Sequence, residues 1–459
     1  MLSIFKELFT REELLKGNFG IEREALRVSE NGDLSTKNHP KIFGKKLENP
    51  YVTVDFAESQ VEMITPIYQY IGDVYNCLDK LYDYVAVNIE DEYLWPQSMP
   101  CRINDYRNIK VADFEDTNGG QDAKKYRQQL VVKYGAKKQL ISGIHYNFSF
   151  SEEVVRKLYD YFGEESYREF KDKFYLRIAR NYLRYRWLIV YLLGSTPIVH
   201  ETFDEKCVKK LEKWGNEEFS NLNSISYRNS EYGYENLVDI YPNYNSVDEY
   251  VESIEEFINK GLLYNHKELY SQVRLKAKDN TRFLESLKYD GINYLEIRSI
   301  DINPYKKAGI CLNDLKFLHI FVIFLCIKEE SDYKMWQQDA AFNQREIAKY
   351  GLADISLKKD GKNIDRLSYS REILREIENI NKFFGLYEEE VIKDKINKTE
   401  NTELTYAYKI KHHVEKYGYV EHNINLAKQH VKKVTYKEDF MNLKEKYIYK
   451  IDEKLIGSI

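Results

Sequence analysis

The chain has 459 residues, 43% of them hydrophobic, enough to bury a large core and to exclude disorder as the starting expectation. Its net charge of −5 is a small difference between 69 basic and 74 acidic residues, so no global field favours nucleic acid or an anionic membrane, and partners must be sought in a site. Cys77, Cys101, Cys207, Cys311 and Cys326 are odd in number, widely spaced and without a CxxC pair, which suits reduced thiols in a cytoplasmic compartment rather than a disulfide or zinc framework.

The N-terminus becomes charged too soon for a signal peptide. A first strand is expected over 19–28, where Glu22 and Glu24, two apart, project from one face; such a pair is either an exposed edge or a cation site. An Asn31-Gly32 turn signal follows. A second strand is expected over 51–64, with Glu58 and Glu62 on one face and Asp55 on the other unless a bulge intervenes.

Helical spacing of apolar residues covers 68–90, and a third strand is expected over 138–150. There Leu140, Ile144, Tyr146 and Phe148 form one face, and Gly143, His145, Asn147 and Ser149 a small polar one. Helices are expected over 151–163, 165–194 and 247–263, then a strand over 291–302, where Glu296 and Arg298 share a face opposite Leu295 and Ile297. Further helices are expected over 306–329, 364–385 and several stretches after 400. The apolar runs 187–193 and 317–327 are too short to span a bilayer and read as buried helices.

These elements make an α+β pattern, with a mixed or antiparallel sheet covered by helices. No Pro/Gly/Ser-rich linker or repeat divides the chain, so one catalytic domain over 1–459, mainly helical from about 330, is the simplest partition. Each strand sets acids, a histidine or an arginine opposite apolar neighbours. Oxygen ligands with an occasional imidazole suit Mg²⁺ or Mn²⁺, and carboxylate-held Mg²⁺ beside an arginine is what phosphoryl transfer from ATP requires. Neither GxxxxGK[ST] nor a Rossmann GxGxxG after a strand is present, so any ATP site is built on the sheet.

Particular blocks resemble one family, the proteobacterial-type glutamate–cysteine ligases, also found as the N-terminal half of bifunctional glutathione synthetases. They are Gly-Ile-Glu-Arg-Glu-Ala-Leu-Arg-Val from Gly20, His-Pro-Lys-Ile-Phe-Gly from His39, Thr-Val-Asp-Phe-Ala-Glu from Thr53, Leu-Trp-Pro-Gln-Ser-Met-Pro-Cys from Leu94, Ser-Gly-Ile-His-Tyr-Asn-Phe-Ser from Ser142 and Leu-Glu-Ile-Arg-Ser-Ile-Asp-Ile-Asn-Pro from Leu295. Arg180-Asn181-Tyr182 and Gly194-Ser195-Thr196-Pro197 add weaker support, and the likeness runs from about residue 17 to about residue 330.

The resemblance implies a glutamine-synthetase-like curved antiparallel sheet, with Asp55 brought into the site by a bulge. It implies Glu22, Glu24, Asp55, Glu62, His145 and Glu296 as magnesium ligands, Arg298 as the residue neutralising the transferred phosphoryl and Arg228 as a second phosphate contact. It further implies Tyr126, Arg127, Ile141 and Asn147 on the substrate side, and Tyr234 with Tyr270 as the wall of a cysteine pocket. The implied reaction joins the glutamate γ-carboxylate to the cysteine amine with ATP, the first step of glutathione biosynthesis, without nucleic acid, membrane or obligate protein partner. The same scaffold also admits a carboxylate–amine ligase with another acceptor, and the same acids admit a metal-dependent hydrolase. Where the family tends to carry a late Ser-x-Arg element, this chain has Thr405-Tyr406-Ala407-Tyr408-Lys409, and nothing after 330 resembles an ATP-grasp module.

Overall fold

The computed structural model describes residues 2–114, 117–163 and 165–434. Its centre is an antiparallel sheet of strands β1 (Gly17–Val28), β2 (Val52–Val54), β3 (Gln60–Ile64), β4 (Tyr93–Leu94), β5 (Ile144–Phe150), β6 (Val273–Lys276) and β7 (Tyr294–Ile300). The spatial order is β2-β3-β1-β5-β7-β6, with β4 pairing the far end of β1. The expected α+β class with an antiparallel, helix-covered sheet is therefore what the chain adopts.

One sheet face is apolar because every second residue is: Phe19 and Ile21 of β1, Tyr146 and Phe148 of β5, Leu295 and Ile297 of β7, and Val273 and Leu275 of β6 are all buried in one core. Two helices cover that face. Tyr167–Leu193 begins on a Ser166/Glu169 capping box, in which each side chain accepts from the other residue's backbone N–H, and ends at Gly194. Leu312–Ile327 is buried nearly all round, as an apolar helix without a polar stripe must be. Burying one such Leu, Ile or Phe side chain contributes about 1.5–3 kcal/mol, so this layer fixes which face of the sheet is left for polar residues.

Among the described residues, no helix is long and apolar enough to cross a membrane. All five cysteines are free thiols. The helices Trp336–Tyr350, Arg366–Phe384 and Glu389–Glu400 contribute Ile347, Ile373, Ile377, Val391 and Ile392 to the same core as the sheet. Helices Tyr406–Tyr417 and Tyr419–Lys432 follow, and the extension of the helical C-terminal expectation to 459 lies outside the described residues.

Several expectations are corrected. The segment 51–64 is two strands, β2 and β3, folded on each other with Val54 opposite Val61, so Asp55 stands at the reversal and no bulge is needed there. The same turn sends Glu58 away from Glu62: its carboxylate accepts from the N–H groups of His39 (2.8 Å) and Asp113 (2.7 Å) and pairs with Lys46. A register shift lies instead between Ile297 and Ile300 of β7, the stretch that carries Arg298.

The third strand starts at Ile144 rather than 138, because Ala136–Gln139 is a helical turn, and Leu140 caps it instead of joining the strand face. The helix expected from 306 starts at Leu312, and that expected to 263 stops at Asn259. Helices Asn118–Tyr134 and Trp336–Tyr350 and the short strand β6 escaped the pattern reading; Asn118–Tyr134 buries only Gly120, Leu130 and Tyr134, leaving little apolar periodicity to see. The Asn31-Gly32 turn forms as expected, with Gly32 at φ 80°, in the left-handed region that glycine enters freely.

Candidate active site

The polar face of the sheet is assembled by register. Glu24 stands opposite Glu62 across β1–β3, Glu22 opposite His145 across β1–β5, and Glu296 opposite both Asn147 of β5 and Arg274 of β6. Above this face opens a cavity of about 750 Å³, lined by Glu22, Glu24, Asp55, Glu62, His145, Glu296 and Arg298 among others. A cleft of that size with convergent polar groups is where a substrate of drug-like dimensions binds.

His145 Nδ1 lies 3.0 Å from Glu22 Oε2, and its Nε2 lies 3.7 Å from Glu24 Oε1. Asn147 Nδ2 donates to the other Glu22 oxygen at 2.9 Å, and the Gly143 N–H donates to Glu24 Oε2 at 2.7 Å. Glu22, Glu62 and His145 each offer one ligand atom within 4.8 Å of the others. The electrostatics report crowded negative charge. Burial, with Asp55 next in weight, pushes the Glu24 carboxyl up to about 8, and burial with Glu22 and Asp55 beside it raises that of Glu62 well above the usual range. Burial is the largest effect on Glu22 and opposes its ionisation, but the His145 hydrogen bond and the charges of His145 and Lys276 together leave its pKa lowered, and burial lowers the pKa of His145 itself.

Cations close the other side. Lys276 Nζ donates to Glu296 Oε2 at 2.6 Å, and Arg298 hydrogen-bonds the other Glu296 oxygen, holding that carboxylate far below its usual pKa despite its burial. Burial disfavours the charge on Arg298 too, yet Glu296 raises its pKa above the ordinary guanidinium value. Arg228 lies behind Arg298, donating to the Arg298 carbonyl at 2.6 Å with Asp301 3.8 Å away. Its place depends on Gly143, where a Cβ would stand 2.1 Å from Arg228 Nη2.

The expected substrate-side residues divide. Tyr126 and Arg127 line the cavity from helix Asn118–Tyr134, whose first turn is capped by Thr117; Arg127 Nε donates to the Asp55 carbonyl and its guanidinium lies 4.5 Å from the Phe114 ring centroid. Tyr234 lines the cavity, with Arg298 5.8 Å from its ring centroid. Tyr270 packs on Tyr234 at 4.1 Å between ring centroids and faces a different, smaller cavity. Asn147 reaches the site through Glu22, whereas the Ile141 side chain is buried in a separate apolar cluster with Met99, Val199 and Tyr227.

The pattern reading missed Gln139, His266, Lys267, Arg274 and Lys276, which all line the cavity. The alternation Val273-Arg274-Leu275-Lys276 was the available signal, but four residues make a weak one. The weaker family-like blocks lie behind the site. Asp301 accepts from the Ser195 N–H (2.9 Å) and Thr196 Oγ1 (2.7 Å), and Tyr182 hydrogen-bonds Ser299, so they hold the end of β7.

A sequence profile described as glutamate–cysteine ligase matches residues 2–261 and 255–347. A glutamate–cysteine ligase of Clostridium acetobutylicum is 33% identical over 455 residues, covering 90% of this chain and 93% of the relative. The glutathione biosynthesis bifunctional protein GshAB of Clostridium perfringens is 36% identical over 436 residues, covering 93% of this chain but 56% of that protein. The chain thus spans about half the length of the bifunctional curated relatives it matches. A glutamate–cysteine ligase structure from Francisella tularensis in complex with AMP superposes with a TM-score of 0.84 at 27% identity, covering 92% of this chain and 90% of that one.

Proposed function

The chain belongs to the glutamate–cysteine ligase family, and we propose that it joins the γ-carboxylate of glutamate to the amine of cysteine with cleavage of ATP to ADP. The carrying observation is the polar sheet face itself, where Glu22, Glu24, Glu62, His145 and Glu296 converge in one cavity against Arg298. The AMP held by the Francisella relative supports a nucleotide in this cavity.

The donor set fits a hard cation: it is oxygen-rich, contains no thiolate, brings three ligand atoms within 4.8 Å, and carries carboxyls whose pKa burial raises for want of a counter-charge. Glu22, Glu24, Asp55, Glu62, His145 and Glu296 would hold Mg²⁺ or Mn²⁺. Bound there, the cation would supply charge neutralisation for phosphate oxygens.

The side chains divide the remaining work. A glutamate γ-carboxylate oxygen attacks the γ-phosphorus of ATP, ADP leaves, and γ-glutamyl phosphate results. The cysteine amine nitrogen then attacks the acyl carbon, the carbon–oxygen bond to phosphate breaks, and the amine gives up a proton. Arg298 is placed to stabilise the charge of the moving phosphoryl, with Arg228 behind it as a further phosphate contact. Arg127 and Tyr126 orient glutamate, with Asn147 acting through Glu22, and Tyr234 backed by Tyr270 forms the acceptor wall. Ile141 acts only as packing, in an apolar cluster apart from that wall. The chain serves this one catalytic unit in the cytoplasm, its described C-terminal helices supporting the core rather than lining the main cavity.

The test is ADP formation across a panel of amino-acid pairs. ADP release that requires both glutamate and cysteine supports the assignment. Release without any amine would make the protein a hydrolase, and release with glutamate and an unrelated amine would make it a ligase of another acceptor.

A further inference from the structure

Tyr234 belongs to the main cavity and Tyr270 to a second one of about 80 Å³, so the two rings, packed at a tilt of 43°, form a partition between them, with Leu269 lining both. Space for one water is about 10–15 Å³ on the same measure, so the second cavity has room for an occupant of several heavy atoms. Its charged lining is two arginines, Arg186 and Arg345, and two carboxylates, Glu235 and Asp239, and both carboxylates pair with the same arginine. Arg345 donates from Nε and Nη2 to Glu235 Oε1, at 3.0 and 2.7 Å, and also to Asp239, so that cation is neutralised.

Arg186, on helix Tyr167–Leu193, has no ion pair of its own among the described residues, Glu235 acting on it only from beyond salt-bridge distance. It is 8% exposed, donates from Nε to Gln344 Oε1 and from Nη1 to the Leu183 carbonyl at 2.7 Å, and has no carboxylate within salt-bridge distance among the described residues. A guanidinium carries a third face of donors that is costly to bury without an anion. Consistently, burial lowers its pKa to about 10, whereas Arg298 and Arg345, buried beside carboxylates, move the other way.

We propose that this cavity is a binding site for a small oxyanion, a carboxylate or a tetrahedral anion of phosphate size, held by the Arg186 guanidinium. Ser271 and Gln272 line the same space and supply neutral hydrogen-bonding groups around that charge, while Asn236, also on the wall, spends its side-chain amide on Tyr134, the Glu268 carbonyl and the Tyr270 N–H. The site would bear on the main cavity through short paths. The Gln272 carbonyl accepts from the Arg298 N–H at 3.0 Å, Gln344 Nε2 donates to the Asn229 carbonyl beside Arg228 at 2.9 Å, and the Tyr270 N–H donates to Asn236 Oδ1 at 3.0 Å. An occupant of the second cavity would thus touch the residues that hold Arg298, Arg228 and Tyr270 in place.

Ligand-detected NMR on the full chain tests this without any turnover, so its outcome is independent of the ligase assignment. Line broadening of ¹³C-acetate and of inorganic phosphate (³¹P), at constant ionic strength, is compared for the parent, Arg186→Gln and Ala341→Leu. Ala341 lines the cavity from helix Trp336–Tyr350, so leucine there fills the space and leaves Arg186 in place. Anion binding in the main cavity is common to all three proteins and cancels in the comparison. The expected result is binding weakened on the order of ten-fold in both variants, each shown to be folded by circular dichroism. Loss with acetate alone identifies a carboxylate site, and loss with phosphate alone a tetrahedral-anion site. Broadening in the folded Ala341→Leu protein equal to that of the parent, for both anions, overturns the proposal, and it does so even if Arg186→Gln fails to fold.

Discussion

Glu22 and His145 stand directly opposite each other across the β1–β5 ladder, and their side chains meet there, imidazole Nδ1 to carboxylate Oε2, at 3.0 Å. The contact fixes which imidazole nitrogen faces Glu22 and leaves Nε2 turned toward Glu24, 3.7 Å away. Three side chains from two strands thereby aim at one point on the sheet.

Turnover is expected to require Mg²⁺ or Mn²⁺ and to survive zinc-selective chelation, since the converging donors are carboxylates and one imidazole with no thiolate. The measurement is ADP formation in EDTA, with each metal then restored. Sustained turnover in EDTA would refute the assignment of these residues as cation ligands.

Arg298→Lys keeps the charge but loses the planar fork that reaches Glu296 and the cavity together. We expect kcat to fall by roughly ten- to a thousand-fold with little change in thermal midpoint. A near-normal kcat would leave Arg298 as a salt-bridge partner of Glu296 and nothing more.

Tyr234→Ala removes one ring of the packed Tyr234–Tyr270 pair while leaving the Glu296–Arg298–Lys276 cluster in place. KM for cysteine should rise far more than KM for ATP. In the parent, 2-aminobutyrate should be used about one or two powers of ten less efficiently than cysteine, because a single sulfur-sized group is worth about 1–3 kcal/mol. Steady-state kinetics of both proteins decides it; an unchanged cysteine KM in the variant would place the acceptor elsewhere.

Gly143→Ala is expected to disable the site while leaving the fold standing. The new Cβ would sit 2.1 Å from Arg228 Nη2, so the guanidinium must leave its place behind Arg298. We expect kcat to drop by about ten-fold or more, as loss of a positioned charge does, with an unaltered circular dichroism spectrum. Full activity would show that Arg228 is not needed where it lies.

The stability contributed by four buried histidines should fall as the medium is acidified from about pH 6.5 toward 4. Burial lowers the pKa of His39, His319, His422 and His430 to about 4 each, against 6.5 in the unfolded chain. Above pH 6.5 both states are neutral and the contribution is fully present. Between 6.5 and 4 the unfolded chain binds protons that the folded one refuses, each histidine costing about 1.4 kcal/mol per pH unit at most. The raised Glu24 and Glu62 carboxyls act in the opposite sense over the same range, so the imidazole contribution is read as the difference in urea-unfolding stability between the parent and His319→Gln, which should shift against the parent from pH 7.5 through 6.0 to 5.0; a pH-independent difference would contradict the neutral burial of His319.

The sequence by itself determined which residues share a face of their own strand. Period-two alternation put Glu22 with Glu24, His145 with Asn147 and Glu296 with Arg298, and the apolar residues between them fixed which face turns inward. That logic is local, and it failed where a local break was invisible: the reversal between Val54 and Gln60, which redirects Asp55 and parts Glu58 from Glu62, and the helical turn that delays β5 to Ile144. Only the tertiary structure decided which strands became neighbours, because pairing depends on long-range register and not on composition. That register set Glu24 against Glu62 and Glu296 against Arg274, brought Lys276 onto Glu296, and laid helix Asn118–Tyr134 over the face so that Tyr126 and Arg127 line the same cavity. It also turned Ile141 into a separate apolar cluster and Tyr270 toward a second cavity, since a side chain's surroundings are chosen by whatever the rest of the chain packs against it.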